Sequence, residues 1–146
     1  HKIGKPEIPD ADKELHEFTY SLYPHKGTWR EANTVDMAYS LNCPLTCAPA
    51  MKNSGTLPCE FSFIETDCKN VVVETVKKAE DSDDIIVRMF ECQNRRGKVN
   101  AVMFKDILNA AECDLLENET EKVQFDKNTF TFEIKPYEIK TFKIKL

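Results

Sequence analysis

The sequence is poor in the residues from which catalytic loops and metal sites are commonly built. Four glycines are spread over 146 residues and form no Gly-rich phosphate loop. No serine stands in a nucleophile elbow, and no cysteine has a histidine at a spacing typical of a catalytic pair or a zinc site. The three histidines, His1, His16 and His25, all precede the first cysteine. The residues by themselves therefore predict no catalytic residue and no metal site in this chain.

The sequence also lacks a basic surface pattern and a long apolar run. Its formal net charge is -5, and no Lys/Arg stripe is interleaved with aromatic residues, so a nucleic-acid partner is disfavoured. No apolar run reaches the roughly 20 residues of a transmembrane helix, so no membrane partner is predicted. The opening "HKIGKPEIPD" is polar and broken by proline, unlike a signal peptide or an anchor. It also lacks an initiator methionine, and we expect the chain to be a piece of a longer polypeptide.

The cysteines raise the question of crosslinking. They are Cys43, Cys47, Cys59, Cys68, Cys92 and Cys113. An even number permits a disulfide framework, but an apolar fraction of 41% is sufficient for a core without crosslinks. Cys92 and Cys113 lie in or beside apolar runs, where buried reduced thiols are common. We therefore expect reduced thiols and a cytoplasmic protein.

The first third of the chain predicts a strand, a turn and a helix. Phe18, Tyr20 and Leu22 alternate with polar residues, which is the pattern of a half-buried strand. The turn "PHKG" follows, and then "TWRE", in which a threonine and a glutamate three residues apart form a capping box. We predict a helix over about 29–42, ended by a proline, and an irregular loop over about 43–58.

The rest of the chain, about 59–146, predicts a series of short strands. β-Branched runs such as "NVVVETV" and "DIIVRMFEC" are typical of central strands. Near the end, Phe130, Phe132 and Ile134 alternate strictly, but the phase slips by one residue between Pro136 and Phe142, which predicts a β-bulge. Short strands separated by turns, with one short helix, indicate an all-β fold, an antiparallel β-sandwich, as a single domain over 1–146.

Three polar motifs could form a ligand site or could only stabilise the scaffold. The corner "YPHKG" presents His25 and Lys26, but turn residues of this kind usually face water. The single tryptophan, Trp29, could stack on a sugar ring, but a Trp in a first helical turn more often packs on the sheet. Lys77 and Lys78 end a predicted strand in "ETVKKAED", where a charge run usually marks a solvated hairpin. On the residues alone we favour the structural interpretation of each motif.

The same motifs belong to a longer series of segments that the chain shares with a known family. The segments are "HEFTYSLYPHKGTWREA", "AYSLNCPL", "NVVVETVKKAEDSDDIIVRMFE", "CDLLE" and "FEIKPYEIKTFKIKL". In this order they resemble the C-terminal part of glycoside hydrolase family 38 α-mannosidases, in the cytosolic and bacterial branch. The resemblance covers most of the chain from His16 to Leu146, and residues 47–67 depart from it.

The resemblance implies that the parent polypeptide is a large retaining exo-α-mannosidase. Its nucleophilic aspartate and its zinc ligands would lie in an N-terminal α/β catalytic domain that is absent here, so this chain alone is expected to be inactive. The expected partners are that catalytic domain and a mannose-containing glycan, and we also consider a homo-oligomer of the parent. More distant family members bring a basic pair at a comparable strand end close to the substrate cleft. The corresponding residues, Lys77 and Lys78, are the predicted substrate-binding residues.

Two functional hypotheses remain open. In the first, the chain is the C-terminal β-sandwich of an α-mannosidase, packed on the catalytic domain and completing its sugar pocket. In the second, it is a free-standing lectin-like module that holds glycans on exposed rings such as Trp29 and Tyr23. A domain separated from its partner should expose an apolar patch, whereas an autonomous lectin should show a compact groove lined by aromatic rings. We prefer the first because the resemblance runs through helix, turns and final strands together.

Overall fold

The computed structural model describes residues 13–52 and 54–146 of the chain. The chain divides into two compact units between Thr46 and Cys47. We call residues 13–46 the N-terminal unit and residues 47–146 the sandwich unit, and each is described by itself. The N-terminal unit contains the helix α1 (Thr34–Asn42), and the strands lie in the sandwich unit.

The predicted capping box forms, but it closes a separate turn instead of the first turn of the helix. The N–H and the hydroxyl of Thr28 donate to Glu31 Oε2 at 2.7 and 2.9 Å, and the Glu31 N–H donates to Thr28 Oγ1 at 3.4 Å. Asn33 then has a left-handed φ of 51°, a conformation that asparagine tolerates better than most residues. The turn therefore ends there, and α1 begins at Thr34, later than the predicted start near residue 29.

The strand predicted from Phe18, Tyr20 and Leu22 is not formed in the structure. The segment 15–25 lies outside any helix or strand, and its residues are exposed. A period-two pattern marks a segment suited to a sheet, but a strand forms only where a second strand supplies the ladder hydrogen bonds. The described residues of the N-terminal unit contain no such second strand, which explains the difference.

The described residues of the sandwich unit form nine strands in two antiparallel sheets. The strands are β1 (Ile64–Thr66), β2 (Val71–Lys78), β3 (Ile85–Glu91), β4 (Gly97–Met103), β5 (Asn109–Cys113), β6 (Glu119–Lys122), β7 (Gln124–Asp126), β8 (Thr129–Ile134) and β9 (Ile139–Lys145). One sheet has the order β1-β4-β8-β7 and the other the order β2-β3-β9-β5-β6. The first strand begins later than the predicted boundary near residue 59.

The hydrophobic core joins the inner faces of the two sheets. Val99 and Phe130 of the four-stranded sheet and Met89, Phe142 and Ile144 of the five-stranded sheet belong to one buried cluster. The rings of Phe130 and Phe142 lie 5.1 Å apart, centroid to centroid, and both side chains are fully buried. Burying side chains of this size stabilises a fold by about 1.5–3 kcal/mol each. This arrangement confirms the predicted antiparallel β-sandwich with one short helix.

The β-bulge predicted for the last strand is not formed. The sequence pattern between Pro136 and Phe142 predicts an extra residue that shifts the inward phase. In the structure β9 pairs with β3 without a register shift, and the irregularities lie in β2 and between β5 and β6. The pattern breaks because an inward position of β9, opposite the core residue Met89, is occupied by Lys140. A charged residue that faces inward therefore imitates a bulge in the sequence.

All six cysteines lie among the described residues, and no disulfide joins any two of them. Cys43, Cys47 and Cys59 are exposed, whereas Cys113 is buried. Burial raises the pKa of the Cys113 thiol, so this group is held in its neutral form. Reduced thiols and a cytoplasmic location stay predictions that a thiol titration of the denatured protein can test.

Gly27 provides a test of the corner that precedes α1. It has a φ of +72°, and an added Cβ would lie 2.5 Å from Glu31 Oε2. Gly27→Ala should therefore displace this carboxylate and lower the free energy of local opening by about 1–2 kcal/mol. Faster hydrogen exchange of the Ala32 N–H, which donates to Thr28 O at 3.1 Å, would report the change. Gly97→Ala is the matched control, since a Cβ there meets nothing within 4 Å. Unchanged Ala32 protection in Gly27→Ala would contradict the prediction.

Candidate functional site

The two lysines of the predicted site lie at the end of β2 but point to opposite faces of the sheet. Lys77 is opposite Ile86 and Lys78 is opposite Ile85 in the β2–β3 ladder. Successive side chains of a strand alternate between the two faces. Since Ile85 packs against the core, Lys78 lies on the inner-face side of this edge strand and Lys77 on the outer face. A single sugar ring therefore cannot contact both ammonium groups in the same way.

Lys77 is held by two carboxylates. Its Nζ lies 2.7 Å from Glu117 Oε1 and 2.5 Å from Glu80 Oε1. The second oxygen of Glu117 accepts a hydrogen bond from the backbone N–H of Glu80 at 2.9 Å. The Glu117 and Glu80 carboxylates raise the pKa of Lys77, and the Lys77 ammonium and the Glu80 N–H lower the pKa of Glu117. The Lys77 ammonium group is thus occupied by ion pairs within the chain.

The loop that carries Glu117 is itself fixed by side-chain contacts. Asp114 accepts hydrogen bonds from the N–H groups of Leu116 and Asn118 at 2.8 and 3.0 Å, and from the Asn118 side chain at 2.9 Å. These bonds, that of the Asn118 side chain first, lower the pKa of Asp114. Glu117 has a left-handed φ of 68°, which a residue of its type seldom adopts. Two separate motifs of the sequence, "ETVKKAED" and "CDLLE", therefore meet through the Lys77–Glu117 ion pair.

Lys78 is bound far more loosely. Its Nζ lies 2.7 Å from Asp83 Oδ1 across the hairpin, and the two side chains are 69% and 96% exposed. Each partner shifts the pKa of the other, raising that of Lys78 and lowering that of Asp83. An ion pair this exposed contributes little to stability and exchanges readily for water or another partner. Lys78 is therefore the lysine of the pair that can be offered to a ligand.

The residues of the predicted corner site bind one another. The Tyr23 hydroxyl donates to Ala32 O at 3.1 Å, and the Tyr23 and His25 rings lie 5.6 Å apart. The guanidinium of Arg30 lies over the Trp29 ring, 4.9 Å from its centroid. Lys26 is exposed, and its carbonyl oxygen lies 3.3 Å from His25 Nδ1. These contacts stabilise the turn, as expected for a scaffold corner.

Sequence reasoning missed a buried carboxylate at the end of β3. Glu91 is 1% exposed. Its Oε1 accepts hydrogen bonds from the Asn70 side chain at 2.9 Å and the Gln93 N–H at 2.8 Å, and its Oε2 accepts one from the Tyr137 N–H at 3.0 Å. Burial alone would raise the pKa of this group, but these donors and the Arg95 N–H hold it below its ordinary value. Glu91 ties three loops to one strand end and has a structural role.

The described residues contain no cluster of candidate metal ligands and no helix suited to a membrane. Among residues 13–52 and 54–146, no group of three or more His, Cys, Asp or Glu side chains is placed to hold a metal ion. In the same ranges, no helix has the length and apolar character that crossing a bilayer would require. At the end of β2, Lys78 presents a loosely held ammonium group, and the ion pairs of Lys77 with Glu80 and Glu117 lie beside it.

Comparisons with known proteins identify relatives of this architecture. The family model for the glycosyl hydrolases family 38 C-terminal beta sandwich domain matches residues 70–142. Alpha-mannosidase G of Dictyostelium discoideum is 33% identical over 150 residues, which cover 97% of this chain and 14% of that protein. Alpha-mannosidase 2C1 is 38% identical over 120 residues in Homo sapiens, covering 79% of this chain and 11% of that protein. The protein of the same name in Mus musculus is 31% identical over 152 residues, which cover 99% of this chain and 14% of that protein. The chain thus spans only 11% to 14% of the length of these relatives.

Proposed function

The chain belongs to glycosyl hydrolase family 38, and on that premise we propose that it is the C-terminal β domain of an α-mannosidase that removes terminal α-mannose residues from glycans. The observation that carries the proposal is the similarity to curated α-mannosidases over 79% to 99% of the chain. The family match lies within the sandwich unit. The chain would thus contribute one β domain to a much longer enzyme, and a homo-oligomer of that enzyme stays a prediction.

The partner we propose for this chain is the catalytic domain of the same polypeptide. Leu15, Phe18, Tyr20 and Leu22 of the N-terminal unit are 81% to 87% exposed. So many large apolar side chains in one short exposed segment favour a surface that another protein layer covers. The alternation of Phe18, Tyr20 and Leu22 suits a strand, and a strand from the catalytic domain would supply both the ladder hydrogen bonds and the missing apolar contacts.

A lectin-like module is the less favoured alternative. It would use the exposed rings of Tyr23 and Trp29 to stack on sugars. The Tyr23 hydroxyl, however, donates to the Ala32 carbonyl oxygen, and one face of Trp29 is occupied by the Arg30 guanidinium. The cation over Trp29 leaves one face of that ring for stacking, and the His25 ring lies 5.6 Å from the ring of Tyr23. The relatives found by comparison are also named as enzymes.

Cleavage itself would depend on residues outside this chain. The resemblance implies zinc and a nucleophilic aspartate, and the described residues include no group of side chains placed to bind a metal. We therefore assign neither to this chain. Its own contribution would be a contact to the substrate, and Lys78 is the better candidate because it has only an exposed aspartate as partner. Lys77 would instead hold the neighbouring loop in place through Glu117.

The proposed division of labour predicts a large difference between the parent enzyme and this chain. We expect the parent polypeptide to hydrolyse an aryl α-mannoside, and the purified 146-residue chain to show no turnover with or without added zinc. The reason is that the nucleophile and the metal ligands are assigned to the missing domain. An aryl α-glucoside is the control substrate. Turnover by the chain alone, abolished by a chelator, would contradict the division of labour. A parent that cleaves no α-mannoside would contradict the proposed function itself.

A further inference from the structure

A polar cavity lies where the chain passes from one sheet to the other. β6 belongs to the five-stranded sheet and β7 to the four-stranded sheet, and only Val123 separates them. The Val123 N–H donates to Ala110 O at 3.1 Å, which anchors this crossing. The cavity beside it has a volume of about 340 Å³ and is lined by residues of β5 to β9. Its size suits a small molecule more than a protein segment.

An ion pair between neighbouring strands forms one wall of this cavity. The Lys140 ammonium lies 2.6 Å from Glu112 Oε1 and 2.7 Å from Glu112 Oε2. The side chains are only 13% and 25% exposed. Both occupy inward positions, since Lys140 is opposite Met89 and Glu112 is opposite Phe142, and Met89 and Phe142 are core residues. The pair is therefore placed at the margin of the core and not on an outer surface.

Such a pair is a poor choice for stability alone. Removing both charges from water costs free energy that their attraction only partly returns, and apolar residues of similar size often stabilise a fold equally well or better. The neighbouring inward positions of β9, Phe142 and Ile144, are apolar and fully buried. Lys140 and Glu112 thus stand among apolar inward residues of β9 and β5 where the inner face opens into the cavity.

The lining residues restrict the kind of ligand that fits. Glu121 and Glu133 add two carboxylates to the wall and Lys122 adds a second ammonium group, so a free anion and a free cation would each meet groups of their own sign. The described residues show no cluster able to hold a metal ion. Gln124 and Thr131 bring further polar side chains, which disfavours an apolar ligand. A neutral molecule with many hydroxyl groups can donate to the carboxylates and accept from the ammonium.

We infer that this cavity binds one neutral sugar unit of a glycan, with Lys140 and Glu112 as the central contacts. The carboxylate accepts from sugar hydroxyls, and the ammonium donates its remaining proton to a hydroxyl or ring oxygen. Phe132 lines the same cavity and offers an apolar edge to the C–H groups of the sugar. The choice of mannose as the sugar rests on the proposed function, whereas the preference for a neutral polyhydroxyl ligand rests on the cavity alone.

A binding experiment on the full 146-residue chain tests the inference. The probe is methyl α-mannoside, titrated into ¹⁵N-labelled protein and followed by the amide shifts. We expect saturable shifts at Gln124, Thr131 and Glu133, with a dissociation constant in the millimolar range that is usual for ligands this small. Glycerol, at the same concentration, should produce no saturable change. Equal shifts with glycerol would show a general solvent effect and would overturn the inference.

Matched variants show whether these residues bind the sugar. Lys140→Met keeps the aliphatic stem and removes the charge, and it should weaken binding about tenfold or more. Gln124 lies on β7, a short edge strand, and Gln124→Ala should also weaken binding. This variant removes no charge, so it leaves no buried charged group without its partner. Lys145 is an exposed lysine of β9, the strand that also carries Lys140. The variant Lys145→Met should bind the sugar as tightly as the original chain does. Loss of saturable shifts only in Lys145→Met, or unchanged binding in both other variants, would overturn the assignment.

Failure of this inference can be told apart from failure of the proposed function. Saturable binding of the sugar at the cavity, together with a parent that cleaves no α-mannoside, would support the cavity and contradict the enzyme. Cleavage by the parent, together with no saturable shift at the cavity, would support the enzyme and overturn the sugar site.

Discussion

Replacing Glu91 by alanine should lower the free energy of unfolding by about 3 kcal/mol, since one buried and two part-buried donors would lose their acceptor together. The carboxylate is 1% exposed, so water cannot easily take its place. Its oxygens accept hydrogen bonds from the Asn70 side chain and from the N–H groups of Gln93 and Tyr137, at 2.8 to 3.0 Å. Tyr137 has a left-handed φ of 55°, a backbone state that costs free energy unless the surroundings maintain it. We expect the turn around Tyr137 to be the first part of the sandwich unit to lose protection.

The same residue predicts a specific pH dependence. The pKa of Glu91 in the folded chain lies below its ordinary value of 4.5. A carboxyl group whose pKa is lowered by folding stabilises the fold above its unfolded pKa, and that contribution is lost as the pH falls through the folded pKa. The difference in stability between the original chain and Glu91→Ala should therefore be largest near neutral pH. It should become smaller as the solution is acidified below the ordinary pKa of glutamate.

Urea unfolding at several pH values measures both effects. Glu91→Gln keeps one acceptor oxygen and the side-chain size, and it should lose less stability than Glu91→Ala. Glu65→Gln is the matched control, because Glu65 is exposed on an edge strand. If Glu91→Ala unfolds at the same urea concentration as Glu65→Gln, the buried network contributes nothing and the prediction fails.

The fold could be predicted from the sequence wherever the local pattern and the tertiary environment agree. Phe130 and Phe132 alternate with polar residues in β8, and the structure buries both rings on one face of the sheet. Phe18 and Tyr20 show the same alternation but form no strand, because the described residues near them supply no ladder partner. Periodicity reports what a segment can bury, not whether a second strand is present to bury it.

Charged residues at inward positions are hard to recognise in the sequence. Lys140 made a continuous strand resemble a bulged one, and the sequence pattern did not single out Glu91. Neither residue differs from a surface residue in its local sequence, because the partners that make it acceptable are remote. Glu112 is 28 positions from Lys140, and Tyr137 is 46 positions from Glu91. Such pairs are defined by strand order, which single-sequence patterns do not encode.

In the candidate site, too, local features could be predicted from the sequence and contacts between remote residues could not. The spacing in "ETVKKAED" correctly places a lysine pair at a strand end, and strand alternation alone could have separated Lys77 from Lys78. The contact between Lys77 and Glu117 could not be predicted, since it links a hairpin to a loop on the far side of the sheet order. This contact is what distinguishes a structural lysine from one that is available to a ligand.

Replacing Lys78 by methionine in the parent enzyme should lower kcat/KM for an aryl α-mannoside about tenfold, the effect of one charged hydrogen bond made in the transition state. Methionine keeps most of the aliphatic stem and removes the ammonium group. Because Asp83 is 96% exposed, it can be solvated when its partner is lost, and stability should change little. A contact that strengthens in the transition state should lower kcat, whereas a uniform binding contact should raise only KM.

Lys77→Met should have the opposite profile. Glu117 is only 10% exposed and would lose its ion pair, so the thermal midpoint should fall while kcat/KM stays near the parental value. Lys105→Met, an exposed lysine in a loop, is the control for charge removal and should change neither quantity. Loss of activity in Lys77→Met with parental activity in Lys78→Met would reverse the assignment. Parental kinetics in both variants would make the pair a solvated hairpin, since an ammonium that contacts neither the sugar nor an active-site carboxylate can affect only the stability of the strand end.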